Sequence, residues 1–406
     1  MGIINAIDLF AGCGGLCEGF EMSGHYNTLA CVEWEKAPCA NLEKHLREKW
    51  NIQDANQRVL RFDIRRTDEL FHGWDDAEYG HSEGLDALIN KKRIDLIIGG
   101  PPCQAYSVAG RIRDEHGMKN DYRNYLFESY VRVLEHYQPK AFVFENVPGI
   151  LSAKPAGEPI IDVIRRTFDA AGYVVLGDLS QAVIDFAEYG VPQKRNRIII
   201  VGLRKKEYGK KAFQLLSEFY VQILPSFKIE KKVTVRDAIG DLSALYPTED
   251  FKVDGKRYSH TFPQNGPSNH TSRWHSPRDQ AIFRLLADDI ASGENKYIST
   301  SALKQLYTEI TGRESNIHKY HVLRWDDQSN LIPAHLFKDG LRHIHPDGKQ
   351  ARSITVREAA RLQGFPDDYE FIGTQADEYK MIGNAVPPLF SEKLAKAIYT
   401  LLFEKA

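Results

Sequence analysis

The sequence of 406 residues has only five cysteines, and no two of them form a CxxC pair. The odd number of thiols, at Cys13, Cys17, Cys31, Cys39 and Cys103, is typical of a reducing compartment and argues against a disulfide framework or structural zinc. No HExxH pattern is present either. The histidines of the second half, including His343 and His345, therefore give no prediction of a metal site.

Long apolar runs and an excess of positive charge are also missing. No run approaches the roughly 18 residues of a membrane span, and no signal peptide follows Met1, so we expect a cytoplasmic protein. The formal net charge is -2, so any nucleic-acid site must be a local basic patch. The length, with 42% hydrophobic residues, predicts two domains.

The first sixty-odd residues follow the layout of a nucleotide-type cofactor site. A buried strand at 3–9 leads through a glycine-rich turn into a helix, and a second strand ends at Glu33, which can accept hydrogen bonds from ribose hydroxyls. A third strand at 59–64 carries Asp63, which is suited to accept from an adenine amino group. Cys17 stands where the third glycine of GxGxxG would be, which disfavours a nicotinamide cofactor.

A single thiol follows the next buried strand. The apolar run from Ile94 to Ile98 stops at two glycines and two prolines, and Cys103 comes directly after them. Fixed proline φ angles would hold the sulfur rigidly beyond the carboxyl end of the strand, where open α/β sheets bind ligands. A small buried cysteine on a loop is the simpler alternative.

Two further strands carry charged residues near their ends. Glu145 closes the strand at 141–147, where desolvation raises the pKa of a carboxyl and lets it donate a proton. Arg195 and Arg197 precede the run at 198–201 and are suited to bind phosphate or orient a carboxylate. An ion-pair or helix-capping acid and a solvated basic face are the alternatives.

The alternation of strands and helices stops at Gly202. A basic segment follows at 204–232, and the composition turns polar beyond Thr248, which predicts a second domain. Farther on, Thr355 with Glu358 predicts a capping box. A Gly/Pro loop at 382–388 precedes a closing helix, which we expect to return to the first domain and leave a cleft with the second.

Taken in order, these motifs resemble the DNA (cytosine-5) methyltransferase family: DLFAGCGG, Glu33-Trp34, Asp63-Ile64, GGPPCQAYS, FENV, QKRNRI, RSITVREAARLQGFPDDY and IGNAVPP. The resemblance implies an α/β, Rossmann-like S-adenosylmethionine-dependent methyltransferase fold with a smaller, irregular target-recognition domain. It places the first part of the catalytic and cofactor-binding domain at 1–203, the target-recognition domain with its hinges at 204–345, and the return to the catalytic domain at 346–406.

The resemblance also implies roles for single residues. Cys103 would add to C6 of cytosine, Glu145 would contact N3, and Arg195 and Arg197, with Gln193 of the same motif, would orient the base and Glu145. S-adenosyl-L-methionine would contact Asp8, Phe10, Ala11, Gly12, Gly14, Gly15, Glu33, Trp34, Asp63, Ile64, Pro101, Asn384 and Ala385. DNA would contact Gln104, Ser107, Arg111 and Arg113, in a loop at 104–124 that closes over the substrate.

The implied reaction methylates C5 of a cytosine rotated out of double-stranded DNA, in a specific short sequence. Basic groups at 104–124 and 204–232 would hold phosphates, so we expect DNA affinity to depend strongly on salt. Family habit adds the protective role in a restriction-modification system and a cognate endonuclease that acts on the same sequence. We expect a monomer that associates with the nucleoid when it binds DNA.

Three alternatives stay open at this point. An RNA cytosine-5 methyltransferase of the transfer-RNA type shares the motif order, although the PPCQAYS loop and the long region at 204–345 favour DNA. A nucleotide-dependent oxidoreductase is disfavoured by Cys17. A catalytically inactive DNA-binding relative is disfavoured because Cys103, Glu145 and Arg195 are all present.

Overall fold

The computed structural model describes residues 2–101, 124–154, 157–314, 320–338 and 340–404. The chain divides into two compact units. The first unit comprises Met1–Gly190, Arg195–Glu230 and Ala385–Ala406. The second comprises Val191–Lys194 and Lys231–Asn384.

The elements follow one another as strands and helices through the first unit and as mainly helices through the second. The strands are β1 Ile4–Leu9, β2 Tyr26–Glu33, β3 Val59–Arg61, β4 Trp74–Asp76, β5 Gly80–Ser82, β6 Leu96–Gly99, β7 Ala141–Asn146, β8 Tyr173–Val174, β9 Val183–Asp185, β10 Asn196–Arg204, β11 Pro247–Val253 and β12 Lys256–His260. The α-helices are α1 Gly15–Met22, α2 Lys36–Glu48, α3 Ala55–Arg58, α4 Thr67–His72, α5 Gly84–Ile89, α6 Asn124–Tyr137, α7 Ile160–Ala170, α8 Lys205–Tyr208, α9 Lys211–Glu218, α10 Val235–Ile239, α11 Pro277–Ser292, α12 Thr300–Thr311, α13 Val356–Leu362, α14 Gln375–Asn384 and α15 Pro388–Phe403.

The first unit is built on one mixed sheet with the strand order β3-β2-β1-β6-β7-β10-β8, and β9 also pairs with β10. Within this sheet β3, β2, β1, β6 and β7 run parallel to one another, whereas β10 is antiparallel to β7. The strand order reverses between β1 and β6, and the ligands of open α/β sheets bind at such a point, outside the carboxyl ends of the strands. The glycine-rich turn and the Gly/Pro turn that carries the thiol follow these two strands.

The closing helix α15 returns to the first unit, as the sequence predicts. It crosses α1 so closely that a Cβ at Gly19 would lie 2.3 Å from the Cβ of Ser391 and 2.5 Å from the backbone nitrogen of Glu392. The Tyr26 hydroxyl, from β2, donates to the Ala395 carbonyl at 2.7 Å. The end of the chain is thereby part of the core behind β1 and β2.

The segment at 204–230 belongs to the first unit, although the sequence analysis placed the end of the catalytic region at 203. Apolar side chains that recur along it, Ala212, Leu215, Leu216, Phe219, Tyr220, Ile223 and Leu224, are buried. The Tyr220 hydroxyl bonds the backbone of Ile199 and Val201 in β10, at 2.7 and 2.9 Å. Two of the basic residues predicted to hold phosphates form ion pairs within the unit, Lys205 with Asp169 and Lys228 with Glu188.

The second unit contains a helical pair, α11 and α12, and the hairpin β11-β12. The apolar cluster that joins α11 to α12 includes Ile282, Phe283, Leu286, Leu303 and Leu306. Residues 346–384 belong to this unit as well, whereas the sequence analysis assigned them to the catalytic domain. Buried polar bonds hold them there: Arg352 forms a two-point ion pair with Glu358 at 2.6 and 2.7 Å, and His270 bonds the Thr355 hydroxyl at 3.0 Å.

Two local predictions at the end of the second unit have different outcomes. The capping box of α13 is confirmed: the Thr355 hydroxyl accepts from the Glu358 amide, and the Glu358 carboxylate accepts from the Thr355 amide at 2.7 Å. The loop predicted at 382–388 is shorter than expected, because α14 continues through Ile382 and Gly383 to Asn384. A Cβ at Gly383 would lie 2.3 Å from the Pro333 carbonyl carbon, so this glycine permits close packing inside a helix.

The histidines of the second unit are mostly buried and hydrogen-bonded. His343 bonds the Leu331 carbonyl at 3.2 Å, and His345 lies 3.5 Å from the Glu358 carboxylate. Within the described residues no group of three or more His, Cys, Asp or Glu side chains could hold a metal ion. Among the helices of the described chain, none has the length and apolar character that crossing a membrane requires.

Candidate active site

The glycine-rich turn after β1 is shaped by three left-handed residues. Phe10, Gly12 and Gly14 have φ angles of 59°, 56° and 85°. A Cβ at Gly14 would lie 2.4 Å from Leu42 Cδ1, so only glycine fits there. At Gly12 no atom of the described chain other than those of its two sequence neighbours lies within 4 Å of the Cβ position, so these residues leave the backbone open on that side. An open turn of this kind lets a ligand approach the main chain closely.

Glu33, at the end of β2, is fixed against this turn. Its Oε2 accepts from the Gly12 amide at 2.9 Å, and its Oε1 accepts from the amides of Trp34 and Glu35 at 2.9 and 2.8 Å. Burial raises the pKa of this carboxyl above its usual range. The spacing argument from the sequence therefore brought together the right pair of elements, the glycine turn and the acid.

Asp8 lies directly before the turn and is fully buried. Neither carboxylate oxygen has a hydrogen-bond partner among the described groups. Burial raises the pKa of Asp8 well above its usual range, the nearby Cys17 backbone only partly opposes that rise, and the charge of Glu33 adds to it. Asp8 is therefore a buried acid for which the neutral form is favoured. The open face at Gly12 fits a nucleoside-type ligand.

Asp63 and Ile64 lie just beyond β3, beside Glu33. The Phe62 amide donates to the Glu33 carbonyl at 2.9 Å, which holds the ends of β2 and β3 together. The Asp63 carboxylate is held by Arg65, whose Nε lies 2.9 and 3.0 Å from its two oxygens. Ile64 is buried. The sequence analysis identified Asp63 but not its partner Arg65.

Other residues predicted to contact the cofactor lie in varied surroundings. Trp34 is 49% exposed beside the Glu33 carboxylate. The buried Pro101 accepts a hydrogen bond from Asn146 at 3.4 Å through its carbonyl. Ala385 is buried, and its Cβ would lie 3.0 Å from a Cβ at Gly15. Asn384 is exposed at the end of α14, in the second unit.

Glu145 and Arg197 form an ion pair, with Arg197 Nε 3.0 Å from Glu145 Oε1 and both side chains 13% exposed. The second oxygen of Glu145 faces the Gly/Pro turn, since a Cβ at Gly100 would lie 2.7 Å from Oε2. Burial lowers the pKa of Arg197 from its usual value, and the charge of Glu145 opposes that shift. The pair therefore leaves one carboxyl oxygen directed at the turn that leads to Cys103.

Gln193 and Arg195, the other two residues of the QKRNR motif with a predicted catalytic role, lie in different surroundings from Arg197. The buried Arg195 donates from Nη2 to the Ala385 carbonyl at 3.1 Å. Gln193 lies in the second unit, where its amide donates to the Leu362 carbonyl at 3.1 Å and to Gln363 Oε1, and accepts from Ile332 at 2.8 Å. These bonds occupy the side chain of Gln193, so its predicted catalytic role gains no support from its surroundings.

The predicted nucleophile Cys103 and the predicted DNA contacts Gln104, Ser107, Arg111 and Arg113 lie outside the described residues. Their roles stay predictions. The role of Arg65 and the left-handed backbone of Phe10, a predicted cofactor contact, are features that sequence reasoning missed. Arg65 could have been found from its spacing, because an aspartate often bonds the backbone two residues ahead. The left-handed angle at Phe10 has no comparable sequence signal.

The first unit thus has, at one edge of an α/β sheet, an open glycine turn with a buried acid beside it and a carboxyl–guanidinium pair. Ligand and catalytic groups meet at this edge in open α/β enzymes, so the arrangement is typical of an enzyme of that class.

Comparison with known proteins identifies the family. The model of the C-5 cytosine-specific DNA methylase family matches residues 4–400. The type II methyltransferase M.Bpa9945I of Bacillus paralicheniformis is 35% identical, with 97% of this chain and 98% of that protein covered. M.DdeI of Desulfomicrobium norvegicum, also a type II methyltransferase, is 31% identical, with 97% and 88% covered.

Two solved structures share the fold. A protein encoded within a prophage of E. coli has a TM-score of 0.63 at 24% identity and covers 98% of this chain and 99% of its own. The Entamoeba histolytica methyltransferase EhMeth has a TM-score of 0.59 at 16% identity, with 100% and 99% covered. The chain belongs to the C-5 cytosine-specific DNA methylase family, and it is a DNA cytosine-5 methyltransferase. The resemblance and the fold class predicted from the sequence are confirmed.

Proposed function

We propose that this enzyme transfers a methyl group from S-adenosyl-L-methionine to C5 of a cytosine rotated out of double-stranded DNA, through a covalent bond between Cys103 and C6. The observation that carries the proposal is the Glu145–Arg197 pair, whose free carboxyl oxygen faces Gly100, three residues before Cys103. A carboxyl directed at the turn that precedes the proposed nucleophile in the sequence fits the activation of a cytosine ring.

The residues around the glycine turn fit S-adenosylmethionine, which supplies the methyl group. Gly12 and its neighbours in the turn, Phe10, Ala11, Gly14 and Gly15, offer an open backbone. Glu33 would accept from the ribose hydroxyls, and Asp63 from the adenine amino group. Asp8, buried directly before the turn, belongs to the same proposed set. Trp34, Ile64, Pro101, Asn384 and Ala385 complete the proposed set.

Cys103 and Glu145 would act on the cytosine ring by an addition that is later reversed. The Cys103 thiolate adds to C6 and forms an S–C6 bond, because C5 of cytosine is otherwise a poor nucleophile. Glu145, oriented by Arg197, donates to N3 and stabilises the negative charge that develops there. After C5 has taken the methyl group, a water molecule takes the C5 proton, and N3 returns its proton to Glu145. The S–C6 bond then breaks, the thiolate leaves, and the ring regains its aromaticity.

The biological role follows from the names of the relatives. Several are named type II methyltransferases. We infer that this enzyme protects DNA in a restriction-modification system, beside an endonuclease that acts on the same sequence. Gln104, Ser107, Arg111 and Arg113 remain the proposed DNA contacts, and a monomer suffices for the mechanism.

A duplex with 5-fluorocytosine at the target position tests the covalent step. Fluorine at C5 cannot leave as a proton does, so the S–C6 bond should persist and the protein should migrate with the DNA under denaturing conditions. The trapped species should require S-adenosylmethionine. It should be absent with ordinary cytosine and with Cys103→Ser, which should still bind S-adenosylhomocysteine. A trapped species with Cys103→Ser would reject the assigned nucleophile.

A further inference from the structure

Arg65 is a charged residue beside the cofactor site to which the proposed function gives no task. It follows Asp63 by two positions, in the turn that ends β3. Its backbone amide donates to Asp63 Oδ1 at 3.0 Å, and its Nε and Nη2 also bond the carboxylate. The side chain and the backbone amide of Arg65 thus both donate hydrogen bonds to the Asp63 carboxylate.

The number of bonds determines what Asp63 can still accept. A carboxylate has about four acceptor positions on its two oxygens. Oδ1 takes the Arg65 amide and Nε, and Oδ2 takes Nη2, with Nε shared between the two oxygens. About one acceptor position is left, on Oδ2. Because a planar guanidinium holds a carboxylate in a fixed orientation, this position also has a fixed direction.

Asp63 stays an acceptor in this arrangement. Burial would raise its pKa, but the hydrogen bonds from Arg65 outweigh burial and lower the pKa below its usual value. A protonated carboxyl could donate to an oxygen atom, whereas the ionised form accepts only. Asp63 is 13% exposed and Arg65 is 41% exposed, so Arg65 covers the carboxylate from the solvent side and its replacement leaves no buried cavity.

We propose that Arg65 is a positioning residue for adenine selectivity: it fixes the Asp63 carboxylate and leaves one acceptor position, which a 6-amino purine fills and a 6-oxo purine cannot. The inference rests on the proposed binding of S-adenosylmethionine with its adenine at Asp63. An oxygen at position 6 would face a carboxylate oxygen with no proton between them. Without Arg65 the carboxylate can turn away, so the penalty against the 6-oxo ligand falls.

The test measures binding rather than turnover. Calorimetric titration of the full chain with S-adenosylhomocysteine and with S-inosylhomocysteine, its 6-oxo counterpart, gives a selectivity ratio. We expect the wild type to prefer the adenine ligand by about a hundredfold. Arg65→Gln should lower the affinity for S-adenosylhomocysteine by about tenfold and leave the affinity for S-inosylhomocysteine nearly unchanged. The ratio of the two affinities should therefore fall by about tenfold.

Two further variants separate orientation from charge and from general damage. Arg65→Lys keeps the positive charge but lacks the planar guanidinium, so its ratio of adenine-ligand to 6-oxo-ligand affinity should also fall. Arg47→Gln removes an exposed arginine that pairs with Glu43 at 3.0 Å on α2, and its ratio should match the wild type. The unfolding temperatures of all variants, measured in parallel, report whether each is folded.

The outcomes are distinct. An unchanged ratio in folded Arg65→Gln, or equal losses for both ligands, would overturn the role of Arg65 while S-adenosylhomocysteine binding still supports the proposed function. A wild type that binds neither ligand would overturn the proposed function and the selectivity role together.

Discussion

Arg197 and Glu145 are the described side chains on which the proposed chemistry depends most directly. The 3.0 Å ion pair fixes one oxygen of the carboxyl and directs the other towards Gly100. Removal of Arg197 would leave a mostly buried carboxyl without its charged partner, free to rotate. The residue therefore acts on the rate through the orientation of Glu145.

Replacement of Arg197 by glutamine should lower the rate of methyl transfer by about a hundredfold or more, because the acid is no longer aligned. A single-turnover assay with saturating S-adenosylmethionine measures this rate, and S-adenosylhomocysteine binding should be unaffected. Arg132→Gln, on α6, is the matched control, since the exposed Arg132 pairs with Asp68 at 2.8 Å and has no proposed role in DNA or cofactor binding. Wild-type turnover by Arg197→Gln would contradict the assigned role.

At the residue scale the sequence predicts groups better than it predicts partners. Strand ends and glycine spacing were enough to predict that Glu33, Asp63 and Glu145 lie at one edge of the sheet, because parallel strands place their carboxyl ends there. Which arginine contacts Glu145 was not predictable, since it depends on the register of an antiparallel pair in which Ile199 faces Glu145. No alternation rule in a single chain specifies that register.

Among the helices, the close crossing of α1 and α15 lies next to the glycine-rich turn after β1. Gly19 lets the two helices approach, and α1 begins directly after the glycine turn. Any side chain at this position must push α15 away or strain the turn, because the neighbouring atoms include backbone.

Substitution of Gly19 by alanine should destabilise the protein by about 1–3 kcal/mol and weaken cofactor binding. Urea unfolding monitored by tryptophan fluorescence measures the stability. Gly177→Ala is the matched control, because a Cβ there would only touch Phe213 at an ordinary 3.5 Å. Equal stability of the Gly19 and Gly177 variants would show that the close crossing does not constrain the fold.

Element boundaries were less predictable than the elements themselves. The basic residues at 204–232 suggested a change of domain, but buried apolar residues such as Leu216 and Phe219 recur through the same stretch and keep it with β10. Charge marks the exposed face of a helix and not the unit to which the helix belongs. Likewise, the glycine of IGNAVPP indicated a loop, although at Gly383 it serves close helix packing.

Buried histidines make the stability of the whole molecule depend on pH. Burial lowers the pKa of His260 to about 4 and that of His343 and His345 to about 3. Burial also lowers the pKa of His275 to about 2, and the Ser353 amide donates to His275 Nε2 at 3.2 Å, so this nitrogen must be unprotonated. Their stabilisation is present above pH 6.5 and is lost as pH falls, because the unfolded chain then binds more protons.

His275→Gln isolates the contribution of one histidine to the pH dependence of stability. Carboxyls such as Glu378, whose pKa burial raises to about 7, change the stability with pH in the opposite direction. The stability advantage of the wild type over this variant should shrink by about 1 kcal/mol for each pH unit below 6.5. Urea unfolding at pH 7.5, 6.5 and 5.5 measures it. A constant difference for His275→Gln would refute the linkage.

The central claim is that the whole chain methylates C5 of cytosine in DNA. The most direct measurement is expression in a host without cytosine-5 methylation, followed by sequencing of the host DNA with a method that reads 5-methylcytosine at single-base resolution. We predict methylation confined to one short motif, and none when Cys103→Ser is expressed instead. An absence of 5-methylcytosine from DNA, with the wild-type protein folded and binding S-adenosylhomocysteine, would contradict the claim.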